Sequence, residues 1–141
     1  MTTIHTYLNF DGKAEEAFNF YKSVFGGEFV TFQRMKDAPG TEQLPADEKE
    51  RVMHVSLPIS NMHMLMASDI LPSAGHTLTE GNNYHISIGP DSEEEAHRLF
   101  SGLSVGGKVT MPLEKMFWGA LYGSFTDKYG INWMVNYQLN Q

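Results

Sequence analysis

Two histidines in this chain sit at matching points of two strand-like segments, and a third can join them. His5 lies in Thr3–Phe10 and His85 in Asn83–Gly89, both alternating as half-buried strands do. In the first segment His5, Tyr7 and Asn9 share one face, opposite Ile4, Thr6, Leu8 and Phe10. In the second, His85 and Ser87 oppose Ile86 and Ile88. His54 and Ser56, from a third strand, can extend the same face. An imidazole can move a proton near neutral pH, exchange hydrogen bonds or ligate a metal. On a strand it is more often a hydrogen-bonded packing residue, but recurrence at equivalent repeat positions favours a shared site. Cysteine is absent, so disulfides, thiolate metal sites and a cysteine nucleophile are excluded.

The elements that position these residues emerge when the chain is slid against itself. At an offset of 80, positions 5–31 give His5/His85, Asp11/Asp91, Glu15/Glu95, Phe20/Phe100, Gly26/Gly106 and Gly27/Gly107. Average residue usage would give about two such identities by chance. Both copies read as strand, capped helix, glycine stop, strand. Asp11 is the expected cap of a helix burying Ala14, Ala17, Phe18, Tyr21 and Phe25, and Gly26–Gly27 ends it before a strand over Glu28–Met35. Asp91 is the expected second cap, with Glu94 completing a capping box. Ala96, Leu99, Phe100 and Leu103 form that helix's stripe, and a strand starts over Lys108–Leu113. Each copy then continues as a hairpin. Val52–Pro58 and Met62–Ser68 flank a turn at Ile59-Ser60-Asn61, while Leu121–Thr126 and Asn132–Tyr137 flank Lys128-Tyr129-Gly130. The hairpins align at an offset of 70, because the acidic 36–51 segment, read as a solvated loop, has no counterpart.

The expected fold class is therefore α+β, with two β-α-β-β-β modules in tandem forming a curved mixed sheet. One domain spans 1–141: module one is 1–68, a linker covers 69–82, and module two is 83–141. The 141 residues suffice for a single core, and 41% hydrophobic content marks a folded chain. The net charge of −7 argues against a nucleic-acid surface. No leader-like or membrane-spanning apolar run is present, so the expectation is a cytoplasmic protein with no membrane partner.

Several motifs resemble a known family. His5-Thr6-Tyr7-Leu8, the helix end Phe20-Tyr21-Lys22-Ser23-Val24-Phe25-Gly26, and Tyr84-His85-Ile86 are similar to glyoxalase and bleomycin-resistance proteins of the vicinal-oxygen-chelate superfamily. Met66-Ala67-Ser68-Asp69, Phe117-Trp118-Gly119 and Tyr122-Gly123-Ser124-Phe125-Thr126-Asp127, followed by Gly130 and Trp133, resemble its PhnB-like branch. That branch also carries the label of demethylubiquinone methyltransferase-type domains. The resemblance covers essentially the whole chain.

In metal-dependent members, two His or Gln and two Glu side chains hold one divalent ion. Carried over by motif, the first-strand positions fall on His5 and His85, and the last-strand positions on Met64 (give or take one residue) and Met134. Neither last-strand position is a carboxylate, and thioethers do not suit hard or borderline divalent ions. The expectation is no metal, with His5 and His85 the ligands if one binds. The resemblance also implies a cup lined by His5, Tyr7, His54, Met64, Met66, His85, Trp118, Tyr122 and Met134, and a homodimer. The expected function is that of a small-molecule binding protein holding an apolar or aromatic ligand in a dimeric cup without a cofactor. The alternative is a metal-dependent lyase, isomerase or dioxygenase with an altered ligand set that includes His5 and His85. No strand runs into a glycine-rich turn with a following acidic residue, so a nucleotide-bearing methyl donor has no recognisable site.

Overall fold

A computed structural model describes residues 2–139. The chain divides into two compact units, 1–79 and 80–141. The first contains β1 (Thr6–Phe10), α1 (Ala14–Phe25), β2 (Thr31–Arg34), α2 (Ala46–Lys49), β3 (Val52–Ser60) and β4 (His63–Asp69). Its sheet has the order β1-β4-β3-β2, with β1 parallel to β4 and the other neighbours antiparallel. The second contains β5 (Ile86–Ile88), α3 (Glu93–Ser104), β6 (Lys108–Lys115), β7 (Ala120–Thr126) and β8 (Asn132–Gln138). Its order, β5-β8-β7-β6, and its pattern of directions repeat the first. Each unit is thus a β-α-β-β-β module, and the fold is α+β with two mixed four-stranded sheets.

The helices bury the stripes that their spacing predicts, except that Phe25 at the end of α1 is only half-buried. Ala14, Ala17, Phe18 and Tyr21 of α1 are buried, and the helix packs on β3 and β4. Ala96, Leu99, Phe100 and Leu103 of α3 are buried as well, against β6, β7 and β8. The core of the first sheet is Leu8, Phe10, Val55, Leu57, Leu65 and Ala67; in the second, Trp133, Phe125 and Val135 are completely buried.

Both predicted caps are corrected. The residue before α1 is Lys13, with no side-chain cap, and Asp11 instead pairs with Arg51 at 2.8 Å. The carboxylate at the head of α1 belongs to Asp69, whose Oδ1 accepts the backbone N–H groups of Gly12 and Ala14, both at 3.0 Å. In the second unit Ser92 rather than Asp91 is the cap, its hydroxyl accepting the Glu95 N–H at 3.0 Å. Ser92 wins because its extended backbone aims the short side chain back at the first turn.

The 36–51 segment is not simply solvated. It folds into a 3-10 turn at Met35–Asp37 and then α2. The buried Glu48 accepts the Ser73 hydroxyl at 2.6 Å and the Ser73 N–H at 3.1 Å, tying the segment to the far end of the unit. The second glycine of each pair after the helices serves a different end. Gly27 has φ of 84°, whereas a Cβ on Gly107 would lie 2.2 Å from the carbonyl oxygen of Thr126. Gly107 is therefore required by close backbone approach rather than by a left-handed turn.

Candidate ligand-binding faces of the two sheets

Residues directly paired across a sheet point the same way, so the ladders define each face. In the first unit Tyr7 pairs with Met66, Asn9 with Ser68, Ser56 with Met66, Pro58 with Met64, and Gln33 with His54. These residues, with Thr31, form the face turned away from α1, as the period-two reading predicts. It carries no Lys, Arg, Asp or Glu. The observed hairpin turn is Asn61-Met62, slightly later than the sequence indicated, because β3 runs on to Ser60.

Tyr7 is the centre of this face. Its hydroxyl lies 2.5 Å from the Ser68 hydroxyl and 3.3 Å from Nδ1 of His54. The Tyr7 and His54 rings stack, with centroids 5.7 Å apart and planes inclined by 29°. Tyr7 remains 46% exposed and His54 is half-buried. Nε2 of His54 has no partner among the described residues, so an ordered imidazole presents one free nitrogen.

His5 is arranged differently. Its Nδ1 accepts the Met64 backbone N–H at 3.0 Å, which places the proton of the neutral ring on Nε2. The ring also meets His63 edge-on, at 5.9 Å between centroids, and His63 Nε2 bonds the Thr6 hydroxyl at 2.7 Å. A metal at Nε2 of His5 would require the other tautomer and the loss of the Met64 bond. Met64 stands beside His5 through this backbone bond.

In the second unit Ser87 pairs with Met134, Ser124 with Met134, Tyr122 with Asn136, and Glu114 with Tyr122. The Thr110 and Ser124 hydroxyls are bonded at 2.7 Å. His85 is exposed and precedes β5 by one residue. The parallel ladder pairs Ile86 with Trp133, so its continuation brings His85 opposite Asn132 rather than Met134. Equating Tyr7 with Ser87 makes Met66, not Met64, the counterpart of Met134; the hairpin offset is 68 rather than 70. Asn132 is not free to ligate: its Oδ1 accepts the Thr126 hydroxyl at 2.7 Å and its Nδ2 donates to the Gly81 carbonyl at 2.8 Å.

Trp118 lies in the β6–β7 turn, 49% exposed, with its ring 6.2 Å from that of Tyr122. Phe117 beside it is 98% exposed. Glu114 is the residue that sequence reasoning missed on this face; only the register of β6, which contains irregularities, reveals its side. Among the described residues no group of three or more His, Cys, Asp or Glu is placed to hold a metal ion. No helix among them is long and apolar enough to cross a membrane.

Three residues of the motifs that resemble the family serve the fold. Asp69 caps α1 and also accepts the Val52 N–H at 2.9 Å. Asp127 accepts the Tyr129 and Ile131 N–H groups at 2.8 and 3.1 Å and the indole N–H of buried Trp133 at 2.9 Å. A Cβ on Gly123 would lie 2.7 Å from the Phe100 ring, so that glycine lets helix and strand meet.

Two repeated β-α-β-β-β modules, each with one helix-covered and one open sheet face, define the glyoxalase/bleomycin-resistance class of the vicinal-oxygen-chelate superfamily. The likeness of fold extends to a glyoxalase/bleomycin resistance protein/dioxygenase family enzyme from Burkholderia phytofirmans PsJN, with a TM-score of 0.60 at 15% identity over 96% of this chain and 97% of that one. Within that class the chain belongs to the PhnB-like family described as 3-demethylubiquinone-9 3-methyltransferase, whose sequence profile matches residues 2–136. Protein PA1353 from Pseudomonas aeruginosa is 39% identical, with a TM-score of 0.86 and 98% of each chain covered. A putative 3-demethylubiquinone-9 3-methyltransferase, PhnB protein, from Bacillus cereus is 29% identical, with a TM-score of 0.77 and coverage of 96% and 99%. Protein YjdN of Escherichia coli K12 is 27% identical over 92% of this chain and 91% of its own length.

Proposed function

We propose that this protein binds a neutral apolar or aromatic small molecule on its open sheet faces, as a homodimer and without a divalent metal. The observation that carries this reading is the composition of the first face. Tyr7, His54 and Ser68 supply donors and acceptors beside Met64 and Met66, and no formal charge is present to select a phosphate or carboxylate. The donor set supports the metal-free part: neither Met64 nor Met134 offers an anionic oxygen, and Nδ1 of His5 is already committed. The apolar residues left exposed on β6 and its turn, Val109, Met111 and Phe117, support association with a second copy.

A methyltransferase activity has no support in the helix termini, where a nucleotide-bearing cofactor would place its anionic end. At α1 the Asp69 carboxylate occupies the backbone donors. At α3 Glu93, Glu94 and Glu95 crowd the first turn with negative charge.

The test is NMR on protein carrying 13C-methyl methionine, titrated with neutral aromatic compounds. Shifts at the Met64, Met66 and Met134 methyls, with the other methionines silent, are expected. A uniform or absent response counts against the face as a site. Elemental analysis after dialysis completes the test: one retained divalent ion per chain, lost in a His5→Ala/His85→Ala variant, would overturn the metal-free reading and favour a metal-dependent enzyme.

A further inference from the structure

We propose that Tyr7, His54 and Ser68 form a metal-free proton-transfer site that enolises a neutral ketone held on the open face of the first sheet. This rests on that face being the binding site.

Three observations converge on it. His54 is half-buried and orientationally fixed, with Nδ1 against the Tyr7 hydroxyl and its ring stacked on the phenol, yet Nε2 is free. Tyr7 is held on its other side by Ser68, so the phenol sits between two partners and can exchange one of them for a ligand oxygen. The neighbours on the face are thioethers, hydroxyls, amides and a proline, which leaves the pair to act on a neutral molecule. Neither His5 nor His63 has a phenol at its bonded nitrogen. Nδ1 of His5 accepts a backbone N–H, which leaves the proton on Nε2, and Nε2 of His63 meets the Thr6 hydroxyl.

The step balances without a cofactor. In the reactive tautomer His54 carries its proton on Nδ1, which donates to the Tyr7 oxygen. Nε2 takes a proton from the carbon next to the carbonyl, and the C–H bond breaks as a carbon–carbon double bond forms. The carbonyl π electrons move to oxygen, which takes the Tyr7 proton, and Tyr7 recovers one from Nδ1. The ketone becomes its enol, and His54 ends with its proton on Nε2. Ser68 is a positioning residue: it holds the phenol over Nδ1 and donates to it when Tyr7 turns to the ligand. A positioned general base contributes about 10²–10⁴-fold to such a step.

Acetophenone, neutral and aromatic, is a suitable probe. Loss of its methyl proton signal in deuterium oxide reports enolisation, and the Met64 and Met66 methyls report binding in the same tube. The expected result is exchange about 10²-fold or more above buffer, saturable in acetophenone and abolished in His54→Gln while the methionine shifts persist. Tyr7→Phe should slow exchange about tenfold, and Ser68→Ala should lower the maximal rate by a larger factor than it raises half-saturation. Binding with exchange no faster than buffer, or undiminished in His54→Gln, overturns the proton-transfer site and leaves the binding reading intact. Absence of both saturable binding and exchange overturns the two together.

Discussion

Asp69 is the residue whose removal should cost most for its size. It is 5% exposed and its carboxylate accepts three backbone N–H groups, from Gly12 and Ala14 at the head of α1 and from Val52 at the start of β3. Hydrogen bonds to a charged acceptor contribute about 1.5–3 kcal/mol each in net terms. Three of them set a ceiling of roughly 5–9 kcal/mol for Asp69→Ala, since all three donors lose their partner. Water entering the vacated space recovers part of this, so a loss of about 3–5 kcal/mol is expected. Asp69→Asn keeps the shape and can retain the two bonds at Oδ1. Its amide nitrogen, however, turns a donor toward the Val52 N–H and removes the negative charge from the helix head, for a loss of about 2–3 kcal/mol. Urea unfolding with an unchanged m-value measures both, and the order should be wild type, then Asn, then Ala. Hydrogen exchange at Gly12, Ala14 and Val52 should speed up selectively. If both variants lie within about 1 kcal/mol of wild type, Asp69 does not join helix and sheet in the way inferred.

Asp127→Asn should destabilise by about 2–4 kcal/mol and shift the emission of Trp133, whose indole N–H it now receives in a buried position; unchanged emission would refute that contact's role. Burial raises the Tyr84 hydroxyl above its ordinary value, with help from Asp127 and Glu80 against the hydrogen bond from Asn132. The neutral form is thus favoured in the fold, and this stabilisation is complete below pH 10, near the unfolded value, and is lost as pH rises through the folded one. Tyr84→Phe should flatten the decline of the urea midpoint above about pH 10, and an unchanged slope would count against it. Phe117→Ser should leave monomer stability within about 0.5 kcal/mol, because the ring is almost wholly exposed, while weakening self-association in analytical ultracentrifugation. Glu48→Gln should cost about 1–3 kcal/mol by loosening Ser73, visible as faster proteolysis within 36–51.

The repeat, the buried helix stripes and the division of each sheet into two faces were legible because they follow from periodicity along a short stretch of chain. Leu8 and Phe10 behind Tyr7 and Asn9 need only the alternation of a strand. The caps were not legible. Asp11 and Asp91 have the right type and place, but α1 receives its carboxylate from Asp69, 55 residues beyond Ala14, and no local pattern encodes that distance. The last-strand correspondence was misread for a related reason. The first hairpin turns in two residues, 61–62, and the second in five, 127–131, so ungapped alignment slides one strand past the other. The Tyr7–His54–Ser68 grouping was half legible. All three residues lie on strands whose facing is predictable, but their adjacency depends on which strands pair, and β4 lies between β1 and β3.

Motif strength and site location part company in this chain. Asp69 and Asp127 close two of the segments that resemble the family, yet each spends its carboxylate on the chain's own donors. Function has to be read from positions the fold leaves unconstrained: open-face side chains whose replacement would disturb neither a cap nor a core. By that criterion His54 stands out, since its Nε2 does nothing for the fold while its Nδ1 is held in place by Tyr7. His5 stands out less, because its one ordered contact serves the backbone of β4. The superfamily's metal chemistry depends on oxygen anions beside the first-strand imidazoles, and this chain places Met64 beside His5 and an already bonded Asn132 beside His85. On the proposed metal-free reading, the chemistry offered by the open face is hydrogen bonding and proton transfer by the Tyr7 phenol and the His54 imidazole.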